Sequence, residues 1–218
     1  MVQNLKPKSA AGARKRNPEK SQQELLRAAR QEFSAHGLSG ARVDDIASRA
    51  GVNKQLLYYY FGDKETLYEK VLEQAYADIR NGEKNLNLAS LPPREAMETF
   101  IRYNFDFIQE NRYFVALLND ENMHTARHLE DSFEIQERHV VLKKTIGDIL
   151  NRGYDEGVFK RRVDPVDLYI TISSLSYFYF SNIHTMSKIF IRDLSQPSEI
   201  SNRSNEIIAI IMSYLTRG

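Results

Sequence analysis

The chain has no cysteine in its 218 residues, so disulfides and thiolate metal sites are closed to it. It also lacks a phosphate-cradling glycine loop, a nucleophile elbow and an HExxH pair, and its glycines sit where helices end. An enzyme therefore has little to stand on, and no catalytic residue, cofactor or metal is expected. Nothing at the N-terminus has the make-up of a signal peptide, so a cytoplasmic protein is expected. Residues 168–187 lack Asp, Glu, Lys and Arg, yet this stretch carries five Ser, two Thr, Asn182 and His184. That is a poor composition for hydrocarbon, and no membrane partner is expected.

What is present is unevenly distributed. The formal net charge of +1 conceals 12 Lys and Arg against 6 Asp and Glu in residues 1–64, which leaves a net −5 for residues 65–218. A basic head on a differently tasked body fits a polyanion-binding protein. The length suffices for a small domain plus a larger one.

The basic part contains the sequence VDDIASRAGVNKQLLYYYF, Val43 to Phe61. Val43, Ile46, Ala47 and Ala50 recur at i, i+3, i+4 and i+7, one face of a short helix, and Gly51 supplies the permissive backbone of a sharp turn. Asn53 can cap the helix that follows. There Leu57 and Phe61 can pack inward with Val52, leaving Lys54, Gln55, Tyr58 and Tyr59 outside. Donors and flat rings on such a face suit a helix laid in the DNA major groove.

Ile46-Ala47, Ala50-Gly51-Val52, Leu57-Tyr58-Tyr59-Tyr60-Phe61 and Lys64 follow the order and spacing of a known pattern. Over about residues 20–80 the chain resembles the DNA-binding domain of the TetR family of transcriptional regulators. Two positions depart from that pattern. Arg42 stands where the family usually has a Thr or Ser cap, replacing it with a phosphate-seeking cation, and Leu56 stands where a small or hydroxyl residue is common, which leaves open the bases read. The resemblance implies an all-α fold: an N-terminal three-helix helix-turn-helix domain plus a larger C-terminal helical domain for ligand binding and dimerisation.

The rest of the chain reads as helices and breaks. Residues 1–17, with Lys6, Lys8, Arg14, Lys15 and Arg16, form a basic flexible arm, either a solvated tail or a follower of DNA phosphates. Residues 18–62 are the DNA-binding domain, opening at Asn17-Pro18 with Leu25, Ala29 and Phe33 as a core face and Gly37 as the end of the first helix. Residues 63–81 are a connecting fourth helix ending at Asn81-Gly82, and residues 82–218 are the effector-binding and dimerisation domain. Lys64, in the first turn of the fourth helix, is either a phosphate contact or an ordinary surface lysine; Tyr60 is a phosphate contact or simple packing. Further helices are expected after Pro93, from Tyr113 to Asn122, from Ser132 to Tyr154, after Asp164-Pro165 and from Glu199 to Leu215.

Several polar and aromatic side chains in this larger domain invite a ligand. Tyr103, Asn104, Phe107, His139, Tyr177 and His184 are the candidates to line an effector pocket, although most aromatic residues can equally be core. His124 and His128, with Asp120, Glu121 and Glu130 nearby, are hydrogen-bonding histidines, effector contacts or, least favoured, metal ligands. The C-terminal half is also similar to the subgroup that includes the regulator of pyrimidine use. The resemblance further implies that the last two long helices pair across a two-fold axis, through Leu168, Ile172, Leu175, Ile207, Ile211 and Leu215; the alternative is one helix pair buried within a monomer. The expected function is a ligand-responsive transcriptional regulator, a repressor, that binds a pseudo-palindromic double-stranded DNA operator as a homodimer and is released by a small-molecule effector. The alternatives are an effector-independent DNA-binding regulator, or a small-molecule-binding protein or enzyme on a helical scaffold.

Overall fold

The computed structural model describes residues 17–129 and 132–217. The basic arm through Arg16, and Glu130, lie outside the described residues. Among the described residues there are ten α-helices and no strand: α1 (Pro18–Gly40), α2 (Val43–Arg49), α3 (Lys54–Phe61), α4 (Lys64–Asn85), α5 (Pro93–Glu110), α6 (Arg112–Met123), α7 (Phe133–Asp155), α8 (Pro165–Ser181), α9 (Ile183–Ile189) and α10 (Pro197–Thr216). Short 3-10 turns at Leu88–Ser90 and Arg127–Leu129 complete the path. Helix starts follow local chemistry. Side-chain oxygens of Asn17, Asn53, Asp63 and Asp164 each accept an otherwise orphaned N–H of the first turn.

The apolar side chains gather into two cores. One holds Leu25, Ala29 and Phe33 of α1, Ile46 of α2, Leu57 and Phe61 of α3, and the inner face of α4. Phe107 of α5 and Phe114 and Leu117 of α6 belong to it too, so the head is closed from below by the body's own helices. The other core lies among α5, α7, α8 and α10, with Phe100, Ile146, Ile172 and Ile207 fully buried. α5 and α6 thus serve both.

Two expectations change. The fourth helix does not stop at Asn81-Gly82 but runs on to Asn85. Gly82 is there for close approach: a Cβ on it would meet the Tyr103 hydroxyl oxygen at 1.8 Å, and that hydroxyl donates to the Ile79 carbonyl at 2.9 Å. The uncharged stretch 168–187 is broken between α8 and α9, and no described helix is long and apolar enough to cross a membrane.

The second change concerns the paired C-terminal helices. Leu168, Ile172, Ile207, Ile211 and Leu215 are all within 1 % of complete burial inside the chain's own core, and Leu175 packs against it. The five buried ones cannot face a partner. Each helix gives its most apolar stripe to the intramolecular core, and a second stripe faces out: Val166, Ile170 and Phe178 on α8, Ile210 and Tyr214 on α10.

Gly82→Ala should lower stability, because overpacking costs about 1–3 kcal/mol and exceeds the gain in helix propensity. Denaturant unfolding of Gly82→Ala in wild-type and Tyr103→Ala backgrounds checks this. The penalty should vanish when the ring is gone; equal penalties in both backgrounds would show that the ring does not set it.

Candidate DNA interface and effector cavity

The outward face of α3 is built by the residues that bury its other side. Gly51, at φ 64°, makes the turn, and the Asn53 carboxamide oxygen accepts from Leu56 N at 2.9 Å. Leu57 and Phe61 anchor the helix at 0 % and 5 % exposure. Tyr59 is consequently 80 % exposed and Tyr58 42 %, with Lys54 and Gln55 exposed beside them. Lys54 is tied to Asp44 of α2 at 3.1 Å, so its ammonium rests on a carboxylate that would repel phosphate. Arg42 is exposed at the start of α2, which has no side-chain cap. Tyr60 is half-buried, its ring edge-on to Tyr59 and Phe61.

Lys64 departs from its expected place among the phosphate contacts. Its ammonium donates to the carbonyls of Leu38 at 2.6 Å and Ala41 at 3.2 Å, both beyond the break in α1. That break is at Gly37, φ 66°, after which one more turn runs to Gly40. The freed N–H of Leu38 donates to Asp120 Oδ2 of α6 at 3.0 Å, and the buried Tyr68 hydroxyl of α4 donates to the same oxygen at 3.1 Å. Burial, reinforced by the Asp120 charge, pushes the Tyr68 phenol above its ordinary range and keeps it a donor. A Cβ at residue 37 would sit 2.5 Å from Asp120 Oδ1, so glycine is required for both its φ and its bareness. Sequence reading placed Asp120 only beside the histidines and passed over Tyr68; the signal was a tyrosine in the apolar stripe of α4.

The histidine cluster also resolves into bonds. His128 Nδ1 lies 2.9 Å from Glu121 Oε2 and its backbone N–H donates to Oε1 at 2.8 Å, whereas His124 Nδ1 lies 2.7 Å from the Asp120 carbonyl. The two imidazoles have different partners. His128 docks the turn after α6, where Thr125 and Ala126 take φ of 62° and 59°, against Tyr68.

The six expected pocket residues do not converge. Tyr103 packs on Gly82, with its phenol pushed up to about 12 by burial. Asn104 is buried, Phe107 belongs to the head's core, Tyr177 bonds Asn119, and His184 is exposed on α9. His139 stands edge-on to Tyr76, Nδ1 2.7 Å from the Ile135 carbonyl. A cavity of about 670 Å3 lies instead between α4, the turn 88–90, α5 and α7, and none of the six lines it. Its apolar wall includes Leu88, Phe100, Val141 and Leu142, and two buried charged residues, Arg80 and Glu83, border it. Arg152 of α7 fixes the turn by donating to the carbonyls of Leu88, Ala89 and Leu91 at 3.0–3.2 Å. A volume of this order is large enough for a small organic molecule.

A solvent-facing tyrosine helix after a tight turn, set on a helical body with a cavity against the joining helix, is the arrangement of a ligand-responsive DNA-binding regulator. Residues 25–71 match the model described as "Bacterial regulatory proteins, tetR family", and residues 93–211 match "Tetracyclin repressor-like, C-terminal domain". The chain is 32 % identical over 184 residues to the HTH-type transcriptional repressor NicS of Pseudomonas putida, covering 84 % of this chain and 87 % of that one. It is 30 % identical over 152 residues to the HTH-type transcriptional repressor KstR2 of Mycobacterium tuberculosis, 66 % of this chain and 72 % of that one. The solved structure of the ketosteroid transcriptional regulator KstR2 of Mycobacterium tuberculosis superposes with a TM-score of 0.67 at 22 % identity, over 90 % of this chain and 95 % of that one. The chain belongs to the TetR family of transcriptional regulators.

Two substitutions separate surface from support. Tyr59→Ala should leave thermal stability unchanged while abolishing tight DNA binding. Lys64→Ala should cost about 1.5–3 kcal/mol of stability, the range for hydrogen bonds to a charged group, and leave the salt slope of DNA binding as in wild type. A flattened slope with unchanged stability would return Lys64 to the phosphates.

Burial pushes the His139 imidazole below its ordinary range. Its folded pKa is below the unfolded value, so its stabilisation is present above the unfolded pKa and is lost as pH falls through the folded one. Urea unfolding at descending pH should therefore show a shallower acid loss in His139→Asn than in wild type. Parallel losses would contradict that.

Proposed function

We propose that this chain is a cytoplasmic repressor that binds a pseudo-palindromic operator as a homodimer and leaves it when a small molecule fills the cavity beside α4. The observation that carries this reading is the outward face of α3, where Tyr59 is 80 % exposed with no core role. Lys54, Gln55, Tyr58 and Tyr59 enter the major groove, and Arg42 and Tyr60 meet flanking phosphates. Two such helices span successive grooves when their centres lie about 34 Å apart. The names of the relatives as repressors support the sign of regulation. No reaction is assigned to the chain.

Dimerisation follows from the second stripe of the last long helices. Val166, Ile170, Phe178, Ile210 and Tyr214 are 41–55 % exposed, a face that a two-fold axis can cover with its own copy. The cavity abuts α4, whose first turns hold the break in α1, Lys64 directly and Tyr68 by way of Asp120. A ligand that binds better to a state with α4 displaced must, by linkage, weaken DNA binding in the same measure.

A shift assay against DNA upstream of the chain's own gene tests the reading. Tight, salt-sensitive binding should be lost in Phe178→Asp together with the dimer seen by sedimentation. A Phe178→Asp protein that stays dimeric would refute this interface, and salt-independent or absent wild-type binding would refute the DNA assignment.

A further inference from the structure

The cavity's buried end holds an arginine whose bonding is incomplete. Arg80 is 3 % exposed, Nη1 donates to Glu83 Oε1, and Nη2 donates to the Tyr169 hydroxyl at 2.7 Å. Its buried Nε finds no acceptor among the described residues. A guanidinium does not lose its proton in a protein, so this unmet Nε–H is a donor open to a ligand or an ordered water. Glu83 is different. Its carboxyl is paired with Arg80, and burial pushes it above the ordinary range against the pull of that guanidinium. The permanent charge at this end is positive.

The remaining lining sets the shape of what would fit. Leu88, Phe100 and Leu142 are buried and give an apolar wall, while the rim mixes Lys84 and Arg138 with Glu134 and Glu137 and so selects no net charge. The turn that carries Leu88 is pinned by Arg152, so the wall is fixed in place.

Resting on the reading that this cavity takes the effector, we propose that the effector is an organic acid, its carboxylate on Arg80 and its apolar body against Phe100, Leu88 and Leu142. The carboxylate takes the free Nε–H, a charge-assisted contact that a neutral carbonyl matches poorly. Asn104, also buried with an unpartnered Oδ1, does not line this cavity and has no part in the site.

Calorimetric titration of the full-length dimer with benzoate, phenylacetate and octanoate, each against its primary amide, tests the assignment. At least one acid should bind about tenfold or more tighter than its amide. That preference should disappear in the Arg80→Gln/Glu83→Gln double variant. Val141→Trp, which alters a side chain 50 % exposed and leaves the Arg80 bonds intact, should block acid and amide alike. Equal affinity for acid and amide, acid binding that survives Val141→Trp, or no binding of any acid at millimolar concentration each overturns it. Anisotropy of labelled upstream DNA separates this failure from that of the function itself. Release of DNA by an amide as readily as by its acid overturns the anion assignment and spares the regulator. Acids that occupy the cavity and leave DNA binding untouched sink the effector role and leave the anion site standing.

Discussion

One carboxylate ties the head to the body. Asp120 Oδ2 accepts from the Leu38 backbone at the break in α1 and from the Tyr68 hydroxyl in α4, joining three helices at one atom. Hydrogen bonds to a charged acceptor are each worth about 1.5–3 kcal/mol, more than neutral ones. Gly37 is bare so that the carboxylate can come close, and Lys64 closes the other side by holding the Leu38 and Ala41 carbonyls. α2 and α3 hang from that break, so the direction in which Tyr58 and Tyr59 project is set by groups far from them in sequence.

α4 runs from this clamp to the cavity. Its N-terminal turns carry Lys64 and Tyr68, and its C-terminal turns carry Arg80 and Glu83 at the cavity. Gly82 brings Tyr103 of α5 against the same helix, which limits how it can shift without moving α5. The recognition face meanwhile carries its own restraint. The Lys54 ammonium is held on Asp44, so in the proposed groove contact it must first leave that carboxylate.

The helix-turn-helix was legible because its determinants are local: Gly51 for the turn, Asn53 for the cap, and Leu57 with Phe61 to turn Tyr59 outward. Helix starts at Asn17, Asp63 and Asp164 were legible for the same reason. The outward stripe of the last long helices was not, since α8 and α10 each have two apolar stripes and the choice of which one meets the chain's own core is made by α5 and α7. Lys64 was misplaced because its partners lie 23 and 26 residues away. The cavity escaped notice because one wall is a short turn held by Arg152, more than 60 residues on. Its signal was present in α4 as Arg80 and Glu83 interrupting an otherwise apolar face.

The absence of cysteine allows the clamp to be tested directly, since one introduced Gln55→Cys gives a single label site on each α3. Pulsed electron–electron resonance between the two labels of the dimer measures how firmly the recognition helices are held. With Asp120 intact the distance distribution should be narrow, and Asp120→Ala should broaden it while the dimer persists. Distributions of equal width would contradict the claim that this carboxylate fixes the head.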